Sequence, residues 1–152
     1  MAAGRLRRIL YATDFSPASA RAFGEAVALA RSQGAGLIVL HVLTPPSPFV
    51  KGEPPRSWVE LEARARRQAE RRLARLVAAG TRAGIRVTSA LTTGTPAPTI
   101  ARRARRERAD AIVIGTHGRS GLGRLFMGSV ATQVLQLAPC PVVTVRGRSR
   151  TR

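Results

Sequence analysis

The sequence predicts an α/β protein: a single domain built on an open five-stranded parallel sheet with helices on both faces. Three observations lead there. Short apolar runs alternate with helical patterns five times along the chain, which is the signature of βαβ units. The run Ala111-Ile112-Val113-Ile114 is apolar throughout, as a strand covered on both sides must be. The 152 residues fall within the size of one domain and can bury roughly 70% of the unfolded chain's surface. The crossovers of such a sheet are right-handed.

The elements follow in order. The first strand runs from Arg8 to Asp14, apolar residues ending in polar ones. Ser16-Pro17 supplies a helix cap and a first helical residue. Ala22, Phe23, Ala26, Val27 and Ala30 then recur at helical spacing, up to a stop at Gly34 or Gly36. Leu37 to Val42 is the second strand. Thr44 to Ser57 holds five prolines and a glycine and reads as a long surface loop.

A long helix is expected from Trp58 to Gly84. Its apolar stripe comprises Trp58, Leu61, Ala65, Ala69, Leu73, Leu76 and Val77. Its other face is dense in arginine, with Glu60–Arg64 and Glu62–Arg66 as favourable pairs and Arg67–Arg71 as an unfavourable one. Ile85 to Leu91 reads as the third strand. Pro96 to Arg106 reads as a helix capped by Thr95, and Ala111 to Ile114 as the fourth strand. Gly115 to Gly128 is glycine-rich, Ser129 to Ala138 helical, and Pro141 to Val145 the fifth strand. The domain spans residues 1–146, and residues 147–152 form a basic tail expected to be disordered.

Composition excludes several functions. The lone cysteine, Cys140, makes no internal disulfide, and the two histidines offer no zinc-ligand cluster. No run of about 18 apolar residues spans a membrane. The Arg-rich start, Met1 to Arg8, has no cleavage pattern after it, so a cytoplasmic protein is expected. Basic residues number 26 against 8 acidic, for a net charge of +18, with Lys51 the single lysine. Such a charge attracts polyanions. Aromatic content is 4% and no recognition motif interleaves aromatics with the arginines, so nucleic-acid binding is expected only as non-specific, salt-sensitive attraction.

The chemistry-bearing stretch is Gly115 to Ser129. It lies between a strand and a helix, at the carboxyl end of a parallel sheet where ligands bind. Glycines admit an anion close to the backbone, and a helix N-terminus offers free N–H groups. A Walker A loop is excluded, because Lys51 lies elsewhere. A dinucleotide fingerprint is excluded too, because no glycine cluster follows the first strand.

Gly115, two residues, Gly118, nine residues, then Gly128-Ser129 resembles the ATP-binding signature of universal stress proteins. Tyr11-Ala12-Thr13-Asp14-Phe15-Ser16, Leu40-His41-Val42 and Pro139-Cys140-Pro141-Val142-Val143-Thr144-Val145 resemble other segments of that family. The resemblance runs from about Arg8 to Arg146. It implies strand order 3-2-1-4-5 and ATP as ligand, with AMP or ADP as alternatives, and Mg or Mn held through the phosphates. It implies Ala12 and Asp14 at the nucleoside, with Ala12 standing where many relatives have proline. Val42 would hold the adenine by its main chain, and Ile114 and Gly115 would line the base and ribose. Gly118, Gly128, Ser129 and Val130 would wrap the phosphates. It also implies a homodimer through Val142 to Val145, an edge strand of the kind that invites pairing.

Other readings stand beside these. Asp14 serves either a ligand or the backbone N–H groups opening the first helix. Ser129 caps the last helix. His117 and His41 read as a loop and a structural histidine, and Cys140 as a buried inert thiol. Arg119 and Arg124 reach phosphates or water, and Phe49 and Trp58 pack on the core or cap a base. The expected function is an ATP-binding stress-response regulator. The alternatives are a slow metal-dependent ATPase and a basic protein binding nucleic acid without sequence preference.

Overall fold

A computed structural model describes residues 4–45, 55–116 and 127–147. The interior of the expected surface loop, Gly118 and its neighbours, and the expected tail beyond residue 147 lie outside the described residues. In order, the elements are β1 (Arg8–Ala12), α1 (Pro17–Gln33), β2 (Gly36–Leu43), α2 (Arg56–Arg82), β3 (Val87–Thr93), α3 (Pro96–Glu107), β4 (Ala111–Gly115), α4 (Ser129–Leu137) and β5 (Val142–Val145). The strands form one parallel sheet in the order β3-β2-β1-β4-β5, the predicted topology.

Side chains alternate across a strand, and β1 shows the consequence. Ile9 and Tyr11 enter one core, with Ala22, Ala26 and Ala30 of α1 and Leu73 of α2. Leu10 and Ala12 enter the other, with Ile100 and Ala104 of α3 and Val134 of α4. Both β1 and β4 are therefore buried on both faces, which explains their unbroken apolar runs. Burying one such Leu or Ile contributes about 1.5–3 kcal/mol.

Local signals account for the first helix. The Ser16 side chain accepts from the Ser19 N–H at 3.2 Å, and Pro17 opens the helix. Gly34, at φ 63°, ends it in a left-handed cap bonded to Ala30 and Arg31. The alanine stripe lets α1 lie close to the sheet, where the Tyr11 hydroxyl donates to the Ser19 carbonyl at 2.6 Å.

Two expectations shift. The third strand begins at Val87 and not at Ile85, since Ile85 is buried in the connection and its N–H donates to the Gly80 carbonyl. Its pairing with β2 runs on to Leu43↔Thr93. Leu61, expected in the stripe of α2, is 65% exposed, while Ala69 and Leu73 are buried. Only the later turns of α2 cover the sheet.

Candidate functional site

The sheet places the site. β1 is flanked by β2 and β4, with Ala12 paired to both Leu40 and Ile114. The chain leaves β1 toward β2 and leaves β4 toward β5, so the connections diverge and open a crevice at the carboxyl ends. That crevice is a cavity of about 560 Å³, within the size range of small-molecule sites.

Of the nine residues singled out in the sequence, eight line this cavity. Ala12 and Asp14 come from the end of β1 and Val42 from β2. Ile114 and Gly115 come from β4, and Gly128, Ser129 and Val130 from the start of α4. The ninth, Gly118, lies outside the described residues.

Asp14 does the second of its two candidate jobs, bonding groups at the opening of α1, while also lining the crevice. Its Oδ1 accepts from the Ser16 N–H and the Ser19 hydroxyl, each at 2.9 Å. Oδ2 takes no hydrogen bond from the described residues, so the carboxylate keeps acceptor capacity. Burial raises the carboxyl's pKa, but the hydrogen bonds from Ser16 and Ser19 outweigh it, and the pKa ends below its ordinary value of 3.8. Asp14 is therefore an anion at neutral pH.

The opposite wall is the start of α4. The expected Ser129 cap is corrected here: Gly128 holds the cap position, at φ −57° and ψ 152°, with no side-chain bond, and Ser129 is the first helical residue. Glycine has no side chain with which to cap. Thr132 N–H donates back to the Gly128 carbonyl at 3.0 Å, while the N–H groups of the first turn have no partner within the helix. No acidic residue stands in that turn. Thr95, likewise at its predicted cap position before α3, makes no side-chain cap bond.

Gly115 has a packing reason to be glycine. A Cβ there would lie 3.0 Å from the Ala18 carbonyl carbon and 3.1 Å from the Ser19 nitrogen. The first turn of α1 thus rests directly on the end of β4.

A third wall was not read from the sequence. Phe15 has a φ of 62°, a conformation that costs a bulky residue of order 1–3 kcal/mol and persists only where the surroundings impose it. Its ring lies 4.5 Å from that of His41, and the Arg72 guanidinium sits 5.3 Å from its centroid. His41 Nδ1 is 2.7 Å from the Thr13 carbonyl oxygen, a structural contact as expected. No spacing rule joins these residues; Arg72 is one of many arginines on its helix. Among the described lining residues, Asp14 and Arg72 carry the formal charges.

Cys140 is half-buried, and burial pushes its thiol's pKa up, which suits an unreactive thiol. Among the described residues, no group of three or more His, Cys, Asp or Glu is placed to hold a metal, and no helix is long and apolar enough to cross a membrane.

The model of the "Universal stress protein family" matches residues 5–146. A universal stress protein of Thermus aquaticus is 39% identical over 140 residues, covering 92% of this chain and 98% of the relative. Among solved structures, the hypothetical protein MJ0577 superposes with a TM-score of 0.82 at 24% identity, covering 97% of this chain and all of that one, a likeness of fold. The universal stress protein of Archaeoglobus fulgidus, solved in complex with dAMP, has a TM-score of 0.67 and 26% identity, covering 93% and 99%.

Proposed function

Since the chain belongs to the universal stress protein family, we propose that it is a stress-response regulator whose crevice binds ATP. The observation that carries this reading is the convergence of eight sequence-predicted residues, from four separated segments, on one cavity. The dAMP complex of the Archaeoglobus fulgidus relative supports an adenine nucleotide as ligand.

The charges order the ligand. Asp14, ionised and with a free oxygen, accepts hydrogen bonds from ribose hydroxyls and repels phosphate. The uncapped start of α4 attracts phosphate through free N–H groups and the helix dipole. The nucleoside therefore lies beside Asp14, Ala12 and Val42, with Ile114 and Gly115 beneath. The phosphates lie against Gly128, Ser129 and Val130, with Gly118 in the same glycine signature. The donor set suits a Mg or Mn ion held by phosphate oxygens and water, since the protein groups nearby offer a single carboxylate. Such an ion would offset the charge of the triphosphate.

The protein works as a cytoplasmic homodimer joined through β5. Val143 on that edge strand is 39% exposed, and Leu135 and Leu137 of α4 are exposed at 44% and 40%. Unpaired edges with apolar neighbours favour association.

Equilibrium titration with fluorescent ATP, ADP and AMP tests the assignment, together with a variant carrying Gly118→Ala and Gly128→Ala. Weaker binding by the variant is expected. Equal affinity for both proteins would remove the site.

A further inference from the structure

The opposite end of the sheet carries a second groove. It is lined by Arg7, Arg8, Arg86 and Arg108 together with Glu107 and Asp110. Backbone pairing sets these residues in a row across the amino edge. The Gly36 N–H donates to the Arg7 carbonyl and the Leu37 N–H to the Arg86 carbonyl, both at 2.9 Å. Arg7 and Arg86 thus straddle Gly36, about 10 Å apart at the usual strand spacing. The Asp110 N–H donates to the Arg8 carbonyl at 2.8 Å, which brings Arg108 in on the other side.

Some arginines at this end have structural work. Helix C-termini gather here, and cations suit them. Arg5 donates to the Gln33 carbonyl at 2.6 Å and Arg8 to the Glu107 carbonyl at 2.8 Å. The acidic residues are also engaged. Asp110 accepts from the Arg7 and Arg8 N–H groups at 2.7 and 2.9 Å, and Glu107 pairs with Arg103 at 2.8 Å. By contrast, the side chains of Arg7, Arg86 and Arg108 make no hydrogen bond or ion pair with the described residues, and all three are exposed.

Arg108 adds an independent sign. It ends α3 in the left-handed region, at φ 52°, where α1 uses Gly34. Glycine fits that position without cost. An arginine there incurs backbone strain and places a guanidinium at the groove.

We propose that this groove binds the phosphate backbone of nucleic acid, separately from the nucleotide crevice. Guanidinium groups match phosphate oxygens in pairs. Among the described residues lining the groove there is no aromatic on which a base could stack. Contact with the backbone alone, blind to sequence, follows.

The test measures fluorescence anisotropy of full-length protein with labelled 20-base-pair duplexes of two unrelated sequences, across a salt series. The groove variant carries Arg7→Ala, Arg86→Ala and Arg108→Gly. The control carries Arg67→Ala, Arg71→Ala and Arg75→Ala on the exposed face of α2, removing the same charge. The groove variant is expected to bind both duplexes at least about tenfold more weakly than the control, with the log–log salt slope reduced in magnitude by about 3. Arg108→Gly alone is expected to raise the thermal midpoint while weakening binding, which a structural arginine would not do. Equal losses in the two triple variants would overturn the groove as the site. So would wild-type binding to anionic phospholipid vesicles, but not to duplex, with the same dependence on the groove.

Discussion

The Gly128 N–H donates to the Thr116 carbonyl oxygen at 2.5 Å, which ties the residue before α4 to the residue after β4. The Thr116 N–H in turn donates to the Val145 carbonyl at 2.9 Å. The start of α4 is thereby fixed to the end of β4 and to β5, beside the crevice. An anion site made of main-chain amides needs such anchoring, because amides stabilise charge only when their positions are held in advance.

The contact of Gly115 with α1 gives a stability prediction. Gly115→Ala forces a Cβ against the Ala18 and Ser19 backbone at 3.0–3.1 Å. Neither backbone segment yields as a flexible side chain would. A loss of about 1–3 kcal/mol is expected, read as a lower urea midpoint. An unchanged midpoint would show that α1 and β4 separate freely.

Phe15 gives a prediction of relative effects. Phe15→Ala loses the ring contacts with His41 and Arg72 and keeps the left-handed backbone penalty. Phe15→Gly loses the same contacts and removes the penalty. The glycine variant should be more stable than the alanine variant by about 1 kcal/mol, measured by chemical denaturation. The reverse order would mean that the backbone relaxes out of the positive-φ region once the ring is gone.

The sign of the pH dependence follows from Asp14 and Asp110. Burial tends to raise the Asp14 pKa, but its hydrogen bonds hold it below the ordinary 3.8. Asp110 is lowered by the N–H groups of Arg7 and Arg8. Folded-state values below unfolded ones contribute stability that is present above the unfolded pKa and lost as pH falls through the folded one. Stability should therefore drop below about pH 4. Asp14→Asn should flatten that drop, as followed by acid titration of the denaturation midpoint. A profile identical to that of the wild type would remove the assigned shift.

The edge strand offers an assembly test. Val143→Asp puts a charge on the exposed face of β5 and should leave a folded monomer by light scattering. A dimer that survives the substitution would place the interface elsewhere.

Much of the fold was legible because burial on both faces and local capping write themselves into sequence. Ile9, Leu10, Ile112 and Val113 are apolar without alternation since each side of the sheet is covered. Ser16-Pro17 and Gly34 bound α1 by their own chemistry. The anion cradle between β4 and α4 was legible in the glycine spacing and its place after a strand, whereas Ala12, Val42, Ile114 and Val130 were named only through the family resemblance. What stayed hidden depends on tertiary contact. Ile85 has a strand-like side chain, yet it is buried in a connection. Leu61 is at helical spacing, yet it lies beyond the part of the helix that covers the sheet. Phe15, His41 and Arg72 meet from three elements, and Phe15 takes a backbone conformation its residue type disfavours.

The central claim is that the uncapped amides opening α4 hold the phosphates of a nucleotide whose nucleoside lies beside Asp14. The most direct measurement is the amide NMR spectrum of the labelled protein during titration with ATP and, separately, with adenosine. Saturable shifts of Ser129, Val130 and Ala131 are expected with ATP, and little movement of them with adenosine. Unmoved α4 amides at saturating ATP, with shifts confined to another part of the molecule, would contradict it.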